Sequence, residues 1–287
     1  MPDVGTAYLQ IVPSMDGVPG SIRRGLGGEA DAAGVMAGGR ISGKIKGALA
    51  ASGIGAALGA GLAKSIKTGA NLEQAIGGIE TLFKDSADEM IKNADNAFKT
   101  AGISANQYME QATSFSASLL QSLDGDTQKA AKAADQAIID MSDNANKMGT
   151  NIQDIQNAYQ GFAKQNYTML DNLKLGYGGT KTEMERLLAD AEKISGQKYD
   201  INNLSDVYEA IHVIQEEMDI TGTTSKEAAS TLSGSFSSMK AAAENFLGDL
   251  ALGRNVGPAM VDLAESAGTF LFDNLLPAIG RVFASLP

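Results

Sequence analysis

Residues 173–188, LKLGYGGTKTEMERLL, join an apolar run to three glycines, a Lys-Thr pair and a helical pattern. Read as a phosphate cradle, the stretch makes the chain an α/β nucleotide-binding protein; read as a turn, it makes the chain helical. A phosphate loop needs Gly directly before the Lys, so that backbone amides wrap the anion, and a strand leading in. Here Thr180 precedes Lys181, and Asp171, Asn172 and Lys174 interrupt the lead-in, unlike the continuous apolar run of a buried parallel strand. Thr180 is placed instead as an N-cap, with Glu183 three residues on for the reciprocal half of a capping box. Gly176, Gly178 and Gly179 are then expected to supply the positive φ angles of a sharp helix-to-helix turn. On this reading Gly178→Ala destabilises the fold and Lys181→Ala leaves it nearly unchanged.

Helical spacing continues outward on both sides of this turn. Upstream, Leu72, Ile76, Ile79 and Phe83 make one apolar stripe, and Met90, Ile91, Ala94 and Phe98 a second that Gly102 stops. Ser104 and Gln107 fit a capping box, with Ile103 and Tyr108 set for a hydrophobic staple, and Tyr108, Phe115 and Leu119 line a helix to about Ser122. From Ile138 to Phe162 apolar residues recur three and four apart, but Gly149 and a capping box from Thr150 to Gln153 divide that seam into two helices around a kink. Downstream, Met184, Leu187, Leu188, Ala191 and Ile194 define one helix, and Leu204, Val207, Tyr208, Ile211, Ile214 and Met218 another. Thr224 and Glu227 are expected to cap a long helix carrying Leu232, Phe236, Met239, Phe246 and Leu250, ending near Gly253. The remaining residues read as an amphipathic helix pair that ends abruptly, as if the natural chain continued.

The ends of the chain differ from this body. Residues 6–12, TAYLQIV, form the one convincing strand, closed by Pro13 and without a partner strand of its own, so it is expected to pair with another chain or a neighbouring copy, the alternative being a flexible terminus. A glycine-dense linker follows, since interior glycines cost a helix about 1 kcal/mol each. Residues 47–63, GALAASGIGAALGAGLA, are uncharged and bracketed by Lys44, Lys46, Lys64 and Lys67, close to the shortest bilayer span. Gly47, Leu49, Ile54, Gly55, Leu58, Gly59 and Leu62 make this the candidate membrane segment, with Gly55 and Gly59 at the spacing that lets helix backbones approach. The alternative is a small-residue helix packed against other copies.

The expected architecture is therefore all-α: a multi-helix domain of short helices joined by Gly/Asn turns, preceded by one short strand and a Gly/Ala-rich segment. Its parts are residues 1–46, 47–68, the helical core 69–250 and the hydrophobic C-terminal helices 251–287.

Composition narrows function mainly by exclusion. With no Cys, one His and a net charge of −11, the 287 residues hold no disulfide, no thiol nucleophile and no Cys-based zinc site. The acidic balance argues against specific nucleic-acid binding, which needs clustered Lys and Arg. That balance is uneven: residues 1–70 carry seven basic and four acidic side chains, and the rest carry 16 and 30. Asp124, Asp126, Gln128 and Asp135 fall at calcium-loop positions, but Lys129 stands where that loop demands Gly, so they read as a capped turn. His212, between Glu209 and Glu216, reads as a core-edge residue rather than a catalytic base. No catalytic residue, cofactor or metal is expected.

The stretches GANLEQAIGGIETLFKDSADEM, YMEQATSFSASLLQSL, the long run from ADQAIIDMSD to YEAIHVIQ, and DITGTTSKEAASTLSGSFSSMKAA resemble the core of tail tape measure proteins of long-tailed bacteriophages and their prophages. The likeness runs almost continuously from about residue 69 to 245, and VGTAYLQIVPS looks like the start of such proteins. What it implies is a structural, non-enzymatic role in the lumen of the virion tail. Several copies would associate with each other, with tail tube proteins and with assembly chaperones in the host cytoplasm. They would set tail length and leave ahead of the DNA through the host membrane. A secreted helical pore-former or toxin is the other class compatible with an acidic helical body and an apolar segment. One departure is size, because even a fully helical chain of this length reaches only about 430 Å.

Overall fold

The computed structural model describes residues 62–284, with side chains from Thr68 to Arg281. Among them the chain is all-α, without a strand. The expected strand at 6–12 and all of the candidate membrane segment except Leu62 lie outside the described residues. Leu62 opens the first described helix.

The helices are α1 (Leu62–Phe83), α2 (Ala87–Thr100), α3 (Ala105–Ser122), α4 (Thr127–Met148) and α5 (Ile152–Phe162). After a short 3-10 turn at Leu170–Leu173 follow α6 (Lys181–Ser195), α7 (Leu204–Glu217), α8 (Thr223–Ser230) and α9 (Leu232–Leu252). A last run holds α10 (Val256–Gly268), a π turn (Thr269–Leu275) and α11 (Leu276–Ala284). The expected apolar stripes face one core. Leu72, Ile79 and Phe83 from α1, Met90 and Phe98 from α2, and Tyr108, Phe115 and Leu119 from α3 are all buried with Ile138, Met141, Ile155 and Tyr159. α4 lies at the centre, touching α1, α2, α3, α5, α7 and α8, while α6 packs chiefly on α7.

Short polar side chains set where each helix starts, because they accept hydrogen bonds from otherwise unpaired first-turn amides. Ser104 and Gln107 form the full reciprocal box at α3, and Asp126 caps α4. Two expected caps are displaced. Asn151, not Thr150, caps α5, its Oδ1 accepting from the Gln153 amide at 2.9 Å, while the buried Thr150 hydroxyl has no partner. Thr224 opens nothing: α8 starts after Gly222, whose φ of +79° fits glycine, and a separate helix, α9, starts behind Thr231. The single long helix expected from Thr224 is thus two, and Leu232 and Phe236 are exposed instead of core-facing.

The C-terminal segment differs from a helix pair in the same way. α10 passes into α11 through a π turn without leaving helical conformation. The buried Asn274 inserts its amide there, donating to the Thr269 carbonyl at 3.0 Å and to Ala229 at 3.2 Å. A side chain intruding on the backbone ladder is a standard cause of such a widening. Pro277 has no N–H to contribute to the turn that follows.

Candidate functional site

The glycine turn places its residues in an arrangement that holds the turn itself. Thr180 Oγ1 accepts from the Glu183 amide at 3.2 Å, the cap expected from the sequence. Glu183 does not return to the Thr180 amide; its carboxylate takes the Gly178 N–H at 3.0 Å and a close ion pair from Arg186 at 2.6 Å. Arg186 also donates to the Gly176 carbonyl at 2.8 Å and lies over the Tyr177 ring at 4.3 Å. The Tyr177 hydroxyl donates to Asp190, and partial burial together with that carboxylate pushes its pKa up to about 12. Arg186 and the Gly178 amide hold the Glu183 carboxyl below its ordinary value. An amide that would face a phosphate is therefore bonded to a carboxylate of the chain's own next helix. Lys181 pairs loosely with Glu185 at 3.9 Å on the surface.

The three glycines serve different ends. Only Gly176 has a positive φ, +87°; Gly178 and Gly179 do not. The non-glycine Lys174, at φ +54°, takes the second left-handed position and ties its ammonium to the Met148 carbonyl at 3.1 Å. Gly179 is required by space: a Cβ there would come within 2.3 Å of the Thr168 carbonyl oxygen. At Gly178 an added Cβ would meet only the flexible Glu183 Cγ at 3.5 Å, ordinary contact. The expectation for Gly178→Ala therefore moves to Gly179.

A second constellation, not anticipated from the sequence, lies on α4. Asp140, Ser142, Asp143 and Asn144 are all buried, in the middle of a helix. Each of the three larger side chains fastens a different element. Asp143 accepts the Gly222 amide at 2.6 Å and the Thr224 amide at 2.7 Å, so α8 is capped by α4 across 81 residues of sequence. Asn144 donates to the Leu173 carbonyl at 3.0 Å, and the neighbouring Asn146 to the Thr224 hydroxyl at 2.9 Å. Asp140 meets His212 of α7, Nδ1 to Oδ1, at 2.9 Å. His212 is at the core edge, as expected, but paired with a buried carboxylate. The legible signal was the polar block DMSDN inside an apolar seam, since buried charge persists only when paired and hydrogen-bonded. Asp135 and Asp126, two of the calcium-loop positions, accept from the Tyr108 hydroxyl and the Lys129 amide respectively.

The third feature is apolar and outward. Phe272, Leu276 and Ile279 recur four and three apart on the π turn and α11, each exposed, and α11 packs against little besides the turn it grows from. Leu232 and Phe236 are exposed at the start of α9, with Phe236 against Phe270, ring centroids 5.3 Å apart. Isolated helices this short are marginal in water, so packing normally supplies their stability. Among the described residues no helix is long and apolar enough to cross a membrane, and no cluster of three or more His, Asp or Glu is set to hold a metal. Comparison with family profiles, curated proteins and solved structures finds no match to this chain.

Proposed function

We propose that this chain is a structural protein of a phage tail, of tape measure type, acting in tail assembly and length determination and in membrane passage as DNA is ejected. The observation that carries the reading is the near-continuous resemblance between residues 69 and 245. It is specific in order and spacing across many helices, where a short motif would not be. The glycine turn supports a structural role, because its amide and carbonyl groups are engaged by Glu183 and Arg186 of the same chain. The exposed stripe of Phe272, Leu276 and Ile279 suits docking to tail tube or chaperone proteins, or to other copies.

Length enters the mechanism differently from a straight ruler. The longest described helices have 22 residues, about 33 Å each, and they pack side by side. On this proposal the described body anchors partners within the tail, and length comes from how copies and neighbouring segments are arranged. The uncharged residues 47–63 are the part assigned to the host membrane, and the same run favours the alternative, a secreted pore-former. Deleting the gene in a tail-producing lysogen separates the two. Tails of altered or uncontrolled length, seen by electron microscopy, are expected; normal tails combined with liposome leakage by the purified chain would favour the pore-former.

A further inference from the structure

The Asp140–His212 contact fastens more than two side chains. α6 packs on α7 and is tied to the glycine turn through Glu183, Arg186 and Asp190, and α7 in turn packs on α4 and runs into the Asp143-capped α8. We propose that Asp140 and His212 form a protonation-sensitive latch that holds the α6–α7 hairpin onto α4.

The geometry specifies how it works. His212 Nδ1 is 2.9 and 3.1 Å from the two oxygens of Asp140, and toward the carboxylate Nδ1–H donates in the charged ring and in one neutral tautomer, so what pH changes is the charge of the pair. Gln136 Nε2 donates to the same carboxylate at 3.0 Å. Asp140 is 1% exposed, while the His212 side chain keeps 19% exposure, enough to exchange its proton with solvent. The other titratable groups acting on the pair are Glu209 and Glu216 from α7, Asp143 from α4 and Tyr159 from α5. All of them are acids, so among the described groups acting on the pair the imidazolium is the only positive charge, and without it the carboxylate keeps only the neutral Gln136 amide. A buried carboxylate that loses its counter-charge is strongly destabilising.

The direction of the switch follows. The bond to Asp140 raises the His212 pKa above its ordinary 6.5, against the opposing effect of burial. Stability from the raised group is fully present below 6.5 and is lost as pH rises through the folded-state value. Burial meanwhile pushes Asp140 upward, so its ionised form is the more costly once the imidazole is neutral. The latch is closed in mild acid and loosens toward alkaline pH. Tyr208, donating to the Tyr159 carbonyl at 3.0 Å, Gln215, donating to the Tyr159 hydroxyl at 3.3 Å, and the buried apolar face of α7 remain to hold the helix.

His212 is the chain's single histidine, so its ring protons report the latch without ambiguity. In the full-length protein the NMR titration midpoint is expected above 6.5, and in Asp140→Asn lower than in the native protein, because the bond and the charge of Asp140 are gone while burial remains. The urea midpoint of the native protein is expected to fall between about pH 6 and about pH 9, and to fall by less in Asp140→Asn, which removes the carboxylate and the raised imidazole together. A native imidazole midpoint at or below 6.5, or equal urea midpoints at both pH values, would overturn the latch. The native titration stands even where a variant fails to fold.

Discussion

The α4 girdle and the C-terminal run break the usual distribution of side chains in opposite directions. On α4, Asp140, Asp143 and Asn144 are polar and buried; on α9 and α11, Phe236, Leu276 and Ile279 are apolar and exposed. Inside, these three are engaged within the chain: Asp140 meets an imidazole, Asp143 two amides and Asn144 a carbonyl, each from another element, while the Ser142 hydroxyl beside them has no partner. Outside, Phe236 meets the Phe270 ring yet stays half exposed, and Leu276 and Ile279 stay exposed as well. The difference separates groups that specify this fold from groups left over for something else.

That comparison can be broken most sharply at Asp143. Asp143→Ala leaves the Gly222 and Thr224 amides buried without an acceptor, at about 1–3 kcal/mol for each unsatisfied donor. A loss of about 3 kcal/mol in chemical denaturation is expected, with Asp143→Asn intermediate because one carbonyl remains. A loss under about 0.5 kcal/mol, the range of ordinary surface changes, would remove Asp143 from the girdle. Next is Gly179→Ala, where the new methyl drives into the Thr168 carbonyl; about 2 kcal/mol is expected, within the range for overpacking. Gly178→Ala beside it should cost well under half of that. The smallest effects belong outside. Leu276→Ser and Ile279→Ser should leave thermal stability within about 0.5 kcal/mol of the native chain. They should nevertheless reduce recovery with tail tubes in a pull-down; unchanged recovery with unchanged stability would leave the stripe without the role proposed for it.

Most of the architecture was legible because helices announce themselves twice, through apolar residues three and four apart and through short polar caps. Leu72, Ile79, Tyr108, Phe115, Leu187 and Ile211 all face the core where spacing puts them. The misreadings share one cause. At Thr150/Asn151 two capping residues lie side by side, and at Thr224 the amide is taken by Asp143 from another helix, which local spacing does not contain. Phe236 has the spacing of a core residue too, yet the break at Ser230–Thr231 turns it outward. The glycine turn was legible as a turn, whereas its division of labour depends on Thr168, eleven residues upstream of Gly179. Asp140 and His212 are 72 residues apart, and only the fold brings them together.

The packing of α1 on α9 bears on the order in which the body forms. Gly69 lies so close to Ala251 that a Cβ would be 2.5 Å from the Ala251 methyl, and Gly248 leaves room for Leu72 in the same way. This seam joins one of the first described helices to one of the last. Such distant contacts are the slow step of closure, since the entropy of the intervening loop is lost before the contact forms. A ribosome must therefore have made nearly the whole body before α1 can bury Leu72. Until then the part of α1 around Gly69 and Leu72 that α9 covers is open, and that interval of synthesis is when a chaperone would have most to hold.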